Sequence, residues 1–162
     1  MSVSIRDQIK PGDLGAITWL HGILYAMEYD LDWSFEAYVA EPLSELVKSG
    51  DFKDQRLWVV EQDNKVLGSI AIVKNSPEEA QLRWFILHPD LRGKGLGKQL
   101  TSKALEFCRE RGYKRVILWT FDELDAAIGI YKKNGFVKVE EINHVHWGRT
   151  VTEEKYFLEL SK

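Results

Sequence analysis

The sequence predicts a mixed α/β fold, a mostly antiparallel sheet of about seven strands flanked by about four helices. Three observations carry this expectation. Short apolar runs bounded by turn residues recur along the chain, at 57–60, 66–73, 84–87 and 116–119. Longer stretches place apolar residues every three or four positions, the period of a helix. The order sets neighbouring strands first and a strand–helix–strand–helix alternation after them, so hairpin pairing precedes crossover pairing.

The 162 residues, 44% of them hydrophobic, read as one domain (1–162) with a substantial core. A net charge of −3 argues against nucleic acid or an anionic membrane as the main partner. The single cysteine, Cys108, cannot close an internal disulfide and fits the reducing cytoplasm. No 18-residue apolar run and no charged-then-apolar leader is evident, so neither a membrane span nor a signal peptide is expected.

Ser4 to Ile9 alternates weakly and reads as a first strand, broken by Pro11-Gly12-Asp13. Asp13 suits the N-cap of a helix through Met27, with Leu14, Ile17, Leu20 (or His21) and Leu24 on one face. A second helix is expected from Ser34 to Lys48, striped by Phe35, Tyr38, Val39, Leu43, Leu46 and Val47 and stopped by Gly50. Pro42 inside it predicts a kink or a break. The strands at 57–60 and 66–73 are joined by hairpin chemistry at Asp63-Asn64. Asn75 to Glu78 turns the chain, and Ala80 to Arg83 leads into the apolar run Trp84 to Leu87. Leu96, Leu100, Ala104, Phe107 and Arg111 keep a helical period until Gly112. Val116 to Trp119 is apolar on both faces, as a central strand should be. Asp122 to Lys133 reads as helix, closed by Asn134-Gly135, and Phe136–Glu140 and Tyr156–Leu160 complete the sheet.

The stretch from Trp84 to Leu100 carries the chemistry. A buried strand ends at His88-Pro89-Asp90, and Arg92, Gly93, Lys94, Gly95, Leu96, Gly97 and Lys98 turn the chain into a helix. The first turn of a helix leaves N–H groups unpaired and carries partial positive charge, and glycine lets backbone approach an anion. Three cations surround the same turn. The physical reading is a pyrophosphate cradle; the plainer one is a glycine-rich connection with a solvated basic rim. A dinucleotide-binding G-x-G-x-x-G fails because Lys98 stands where the last glycine belongs. A P-loop fails because Gln99 follows Gly97-Lys98 and Arg92 occupies the first glycine position.

What remains is R-x-x-G-x-G, carried by Arg92, Gly95 and Gly97. Downstream, Tyr131 to Phe136 supplies Y-x-x-x-G-F. With these two segments the chain, from about Leu57 to Val137, resembles the GNAT superfamily of acyl-CoA-dependent N-acetyltransferases. The resemblance implies a single GNAT-like domain with acetyl-CoA as cosubstrate, no metal, and direct transfer to a primary amine in a ternary complex. It implies a sheet that splays after the strand Phe85–Leu87, a backbone contact from Leu87 to the pantetheine arm, and a pyrophosphate held by residues 92 to 98. It implies Tyr131 as the acid that protonates the departing thiolate. Many members carry asparagine seven residues before that tyrosine; here the position is Leu124, with Thr120 or Asp122 as substitutes. The segment His21 to Val47 further resembles the acetyltransferase half of MarR-type regulator fusions, without their DNA-binding half.

In this family the opening helices and late strands wall the acceptor site. Tyr25, Glu28, Tyr29, Asp30, Asp32 and Trp33 crowd the helix junction. They can hold a cationic amine by charge and cation–π contact, or form an aromatic seam with solvated acids. Glu28 is the first choice for a base, acting through water. His144 and His146, at strand period, can line the same site; two histidines without a third ligand argue against metal. His21 and His88 read as structural and Cys108 as helix core. The acceptor is then a small-molecule or peptide amine, and the chain a monomer or homodimer. The rival from another class is a non-catalytic acyl-CoA-binding sensor.

Overall fold

The computed structural model of the protein describes residues 2–160. Four helices, α1 (Asp13–Tyr29), α2 (Trp33–Ser49), α3 (Leu96–Glu110) and α4 (Asp125–Lys133), flank a sheet of β1 (Ser4–Arg6), β2 (Arg56–Gln62), β3 (Lys65–Lys74), β4 (Glu79–Leu87), β5 (Arg115–Phe121), β6 (Val137–His146) and β7 (Arg149–Glu159). The strand order is β1-β2-β3-β4-β5-β7-β6, and every neighbouring pair is antiparallel except β4–β5. This is the predicted mixed sheet.

Strand alternation sorts the apolar residues onto two faces. In β2, Trp58 and Val60 join Leu100, Ala104 and Leu105 of α3, while Leu57 and Val59 join Ile17 of α1 and Val39 and Leu43 of α2. A strand covered on both sides needs an unbroken apolar run, which is why the alternation is invisible in the sequence there.

Several boundaries differ from expectation. Gly12, at φ 95°, caps α1 in place of Asp13. Asp13 is instead the first helical residue, buried, and gripped by both Arg6 terminal nitrogens at 2.7 Å. α2 runs uninterrupted through Pro42. The missing N–H forfeits one bond, and Phe35, Val39, Leu43 and Leu46, all buried, hold the helix on the sheet. Asp32 caps it, accepting from the Ser34 N–H at 2.9 Å. α4 begins at Asp125, because the Asp122 N–H is drawn to the Thr152 carbonyl at 3.0 Å. β6 and β7 are much longer than expected. They meet in a two-residue turn, Trp147-Gly148, at φ 55° and 87°. Tryptophan is not a turn signal, and none of β6's ten residues is fully buried, so periodicity had little to report.

One irregularity positions the site. β4 pairs with β5 only at Glu79–Arg115, Ala80–Val116 and Gln81–Ile117. Beyond Gln81 the two strands part, although β4 continues to Leu87 and β5 to Phe121. The splay implied after Phe85–Leu87 therefore opens inside β4. A bulge accompanies it: the β3–β4 register shifts between Ser69 and Ala71, and Trp84 takes φ 50°. The buried Ser69 hydroxyl donates to the Trp84 carbonyl at 2.6 Å and holds this conformation. Gly68 faces the strand end so closely that a Cβ would lie 2.7 Å from the Ile86 carbonyl oxygen.

Candidate active site

Two cavities meet at the splay. The larger, about 320 Å³, is a groove. Its floor is Phe85–Leu87, one end is the turn after β4, and its far wall is Ala126, Ala127 and Ile130 of α4. A 3₁₀ turn at Pro89–Leu91, capped by His88 Nδ1 accepting from the Asp90 N–H, sends the chain into α3. Gly93 and Gly95 then take φ 75° and 82°. The first helical bond runs from the Gln99 N–H to the Gly95 carbonyl. The N–H groups of residues 93–98 have no acceptor among the described residues. A Cβ on Gly97 would lie 3.0 Å from Ile130 Cδ1 and 3.2 Å from Phe85 Cζ, so only glycine keeps this wall open. A polyanion at the turn and a long, mostly apolar arm along the floor suit this shape.

Gly93, Gly95, Gly97, Lys98, Arg92 and Leu87 all line the groove. Lys94 is exposed beside it, and Leu96 packs toward the core. Arg92 is occupied in a way the sequence did not indicate. Its terminal nitrogens grip Glu28 at 2.8 and 3.0 Å, and its Nε donates to the Leu87 carbonyl at 3.0 Å. One side chain thus ties α1 to the end of β4, joining the expected base to the expected cofactor residues.

The smaller cavity, about 100 Å³, lies in the wedge between β4 and β5 and reaches α1 and α2. Tyr25, Phe85 and Leu124 line both cavities, and Tyr131 lines the wedge. Tyr131 is 5% exposed, with ring centroids of Phe136 at 5.8 Å, Phe85 at 6.0 Å and Tyr156 at 6.4 Å. Burial, and then Tyr25, push its phenol well above the usual range, so it stays protonated at neutral pH. Burial raises Tyr25 in the same way, ahead of Tyr29 and Glu28. Tyr25 stacks on Phe35 at 4.5 Å, and Tyr29 meets it edge-on at 5.5 Å. Trp33, at 82% exposure, lines neither cavity. His146 packs on Trp147 at 4.0 Å, beside the wedge. Thr120, named above as a substitute for the family's asparagine, lines the wedge, as do Tyr38, Arg83, Trp147 and Glu153, which the sequence reading missed. Cys108 is fully buried and its thiol is pushed up to about 12, which leaves no thiolate nucleophile. Among the described residues no cluster of His, Cys, Asp and Glu can hold a metal.

His21 lines the wedge as well, and its Nδ1–H donates to the Ile17 carbonyl at 2.9 Å. Burial lowers its pKa from 6.5 to about 4. The unfolded chain therefore binds a proton that the folded one refuses between those values. Stability from this residue is complete above pH 6.5 and lost as pH falls towards 4, by on the order of 3 kcal/mol. Denaturant titrations across that window should show this loss in the parent and a shallower slope in His21→Asn; equal slopes would exclude His21 as the source.

Residues 24–136 match the Acetyltransferase (GNAT) family. The uncharacterised N-acetyltransferase YjgM of Escherichia coli is 35% identical over 117 residues, 70% of each chain. Human N-acetyltransferase 8B is 35% identical over 99 residues, 58% of this chain and 44% of its own. This chain thus spans less than half the length of that human relative. In fold, an acetyltransferase from Streptococcus agalactiae superposes with a TM-score of 0.79 at 21% identity, covering 98% of both chains. yncA of Salmonella typhimurium, solved with its cofactor acetyl-CoA, gives 0.77 at 19% identity, covering 99% of this chain and 95% of its own. The chain belongs to the GNAT family of acetyltransferases. It is an acyltransferase by family and fold, and no helix among its described residues is long and apolar enough to cross a membrane.

Proposed function

We propose that the protein moves an acetyl group from acetyl-CoA to a primary amine by direct transfer in a ternary complex. The observation that carries this reading is the continuity of the site. A turn rich in unpaired N–H groups, a strand edge freed by the splay, and a buried protonated tyrosine follow one another along β4. The N–H groups of residues 93–98, with Lys94 and Lys98, hold the pyrophosphate, and Gly93, Gly95 and Gly97 keep side chains out of its way. Arg92 works mainly as a brace, since three of its N–H donors already hold Glu28 and Leu87. Leu87 offers its backbone to the pantetheine arm, as an added strand would use it. Leu96 anchors the turn in the core.

Acetyl-CoA supplies the activated thioester. The amine nitrogen forms the new C–N bond while the C–S bond breaks. Tyr131 gives its proton to the departing sulfur, and a base takes one from the nitrogen. Glu28 is placed to be that base through water, at the groove edge beside Tyr25 and Tyr29, once a contact with Arg92 opens. His146 stands at the acceptor side. A single, buried thiol suits the reducing cytoplasm, and the likeness of the opening helices to regulator fusions stays part of this reading.

The test is thiol release from acetyl-CoA with and without a panel of amines. Release that requires an amine supports the transferase. Tight acetyl-CoA binding with no amine-dependent release from any of them would favour the sensor.

A further inference from the structure

The wedge cavity holds charges and polar atoms that the acyl-transfer reading leaves unused. Arg83, on β4 just before the bulge, has no carboxylate partner among the described residues. Its guanidinium lies 4.8 Å over the Trp84 ring, and its charge acts on the Tyr38 phenol. Opposite, on β7, Glu153 accepts from His144 Nε2 at 2.5 Å. Tyr38 is influenced by both charges, Arg83 and Glu153. Trp147, 6% exposed and packed on Phe35 and Tyr38 at 5.0 Å each, has a buried indole N–H with no acceptor. An indole nitrogen can only donate, and a buried donor without a partner is rare enough to require one.

The wedge therefore presents one full cation and two buried unpartnered groups, the Trp147 indole N–H and the Thr120 hydroxyl, in the same lining as one carboxylate. The complement is a small molecule with an anionic oxygen pair at one end and an amine at the other. We propose that the acceptor is a free amino acid, its carboxylate bound by Arg83 beside Tyr38 and Trp147, and its ammonium drawn towards Glu153. This rests on the acetyltransferase reading and names its substrate class. A guanidinium takes a carboxylate through two parallel bonds, which gives orientation as well as affinity. A cavity of about 100 Å³ favours small side chains. The acidic, aromatic junction around Glu28 would then border the site, its charges engaged by Arg92 and by the Asp32–Ser34 cap.

The experiment pairs each of glycine, alanine, serine, methionine and glutamate with its amide, as acceptors at saturating acetyl-CoA. The acid should be preferred in kcat/KM by roughly 30-fold or more over the amide, the scale of a lost charge-assisted contact. Arg83→Met should erase the preference by raising KM for the acids alone, and Arg83→Lys should restore part of it. A second readout needs no turnover: N-acetylalanine should quench tryptophan fluorescence of the parent and bind far more weakly to Arg83→Met. Amides accepted as well as acids, with no effect of Arg83→Met, would overturn the amino-acid acceptor and leave the transferase standing. Binding of N-acetylalanine that depends on Arg83, with no thiol release from any amine, would support the carboxylate site and sink the transferase. Neither binding nor release would overturn both.

Discussion

Gly95→Glu should weaken acetyl-CoA binding by about 100-fold or more, on the order of 3 kcal/mol, while the protein stays folded. Two effects must be separated. Gly95 takes φ 82°, where any side chain is strained by about 1 kcal/mol. A Cβ there meets nothing within 4 Å, so bulk alone is tolerated. Gly95→Ala carries the strain without the charge. Its affinity should fall far less than that of Gly95→Glu, and the difference measures the repulsion between a carboxylate and a bound pyrophosphate. Calorimetry with both variants, each checked by thermal melting, decides it. Affinity in Gly95→Glu within about threefold of Gly95→Ala would show that the turn does not hold the anionic part of the cofactor.

The turn could be read in advance because its chemistry is local. Glycine spacing, flanking cations and the change from strand to helix period all lie within 17 residues, and the backbone there obeys them. The strand order's central event, the parting of β4 from β5, was implied only by family likeness. Nothing in Gln81-Leu82-Arg83 announces that pairing stops there; the bulge at Trp84 is set by Ser69, fifteen residues away in sequence. The acceptor wedge was less legible still. Its lining comes from α1, α2, β4, β5, α4, β7 and the β6–β7 turn. Arg83 stands in the stretch leading into an expected strand and Glu153 lies outside the expected last strand, and only the fold brings both to the wedge with Tyr38. Arg92 illustrates the converse. Its sequence context marked it as a phosphate ligand, but Glu28, 64 residues earlier, is close enough to take both of its terminal nitrogens.

The position of Tyr131 is where sequence likeness and geometry make the sharpest demand on experiment. Its ring is fixed by Phe85, Phe136 and Tyr156, contacts that phenylalanine can keep, so Tyr131→Phe removes a proton without emptying the core. If the phenol protonates the departing sulfur, kcat should drop by ~10²–10⁴-fold, with acetyl-CoA affinity nearly unchanged. Tyr25 is the internal comparison: it is half-buried, raised in pKa, and lines both cavities. Tyr25→Phe should lose much less in kcat. Because burial lifts the Tyr131 phenol well above its ordinary range, the acid remains protonated on the alkaline side. The parent's rate should therefore show no decline from phenol ionisation near pH 10. A Tyr131→Phe enzyme within about threefold of the parent would assign that ring to packing. A large loss in Tyr25→Phe instead would move the proton to the tyrosine that stands between the two cavities.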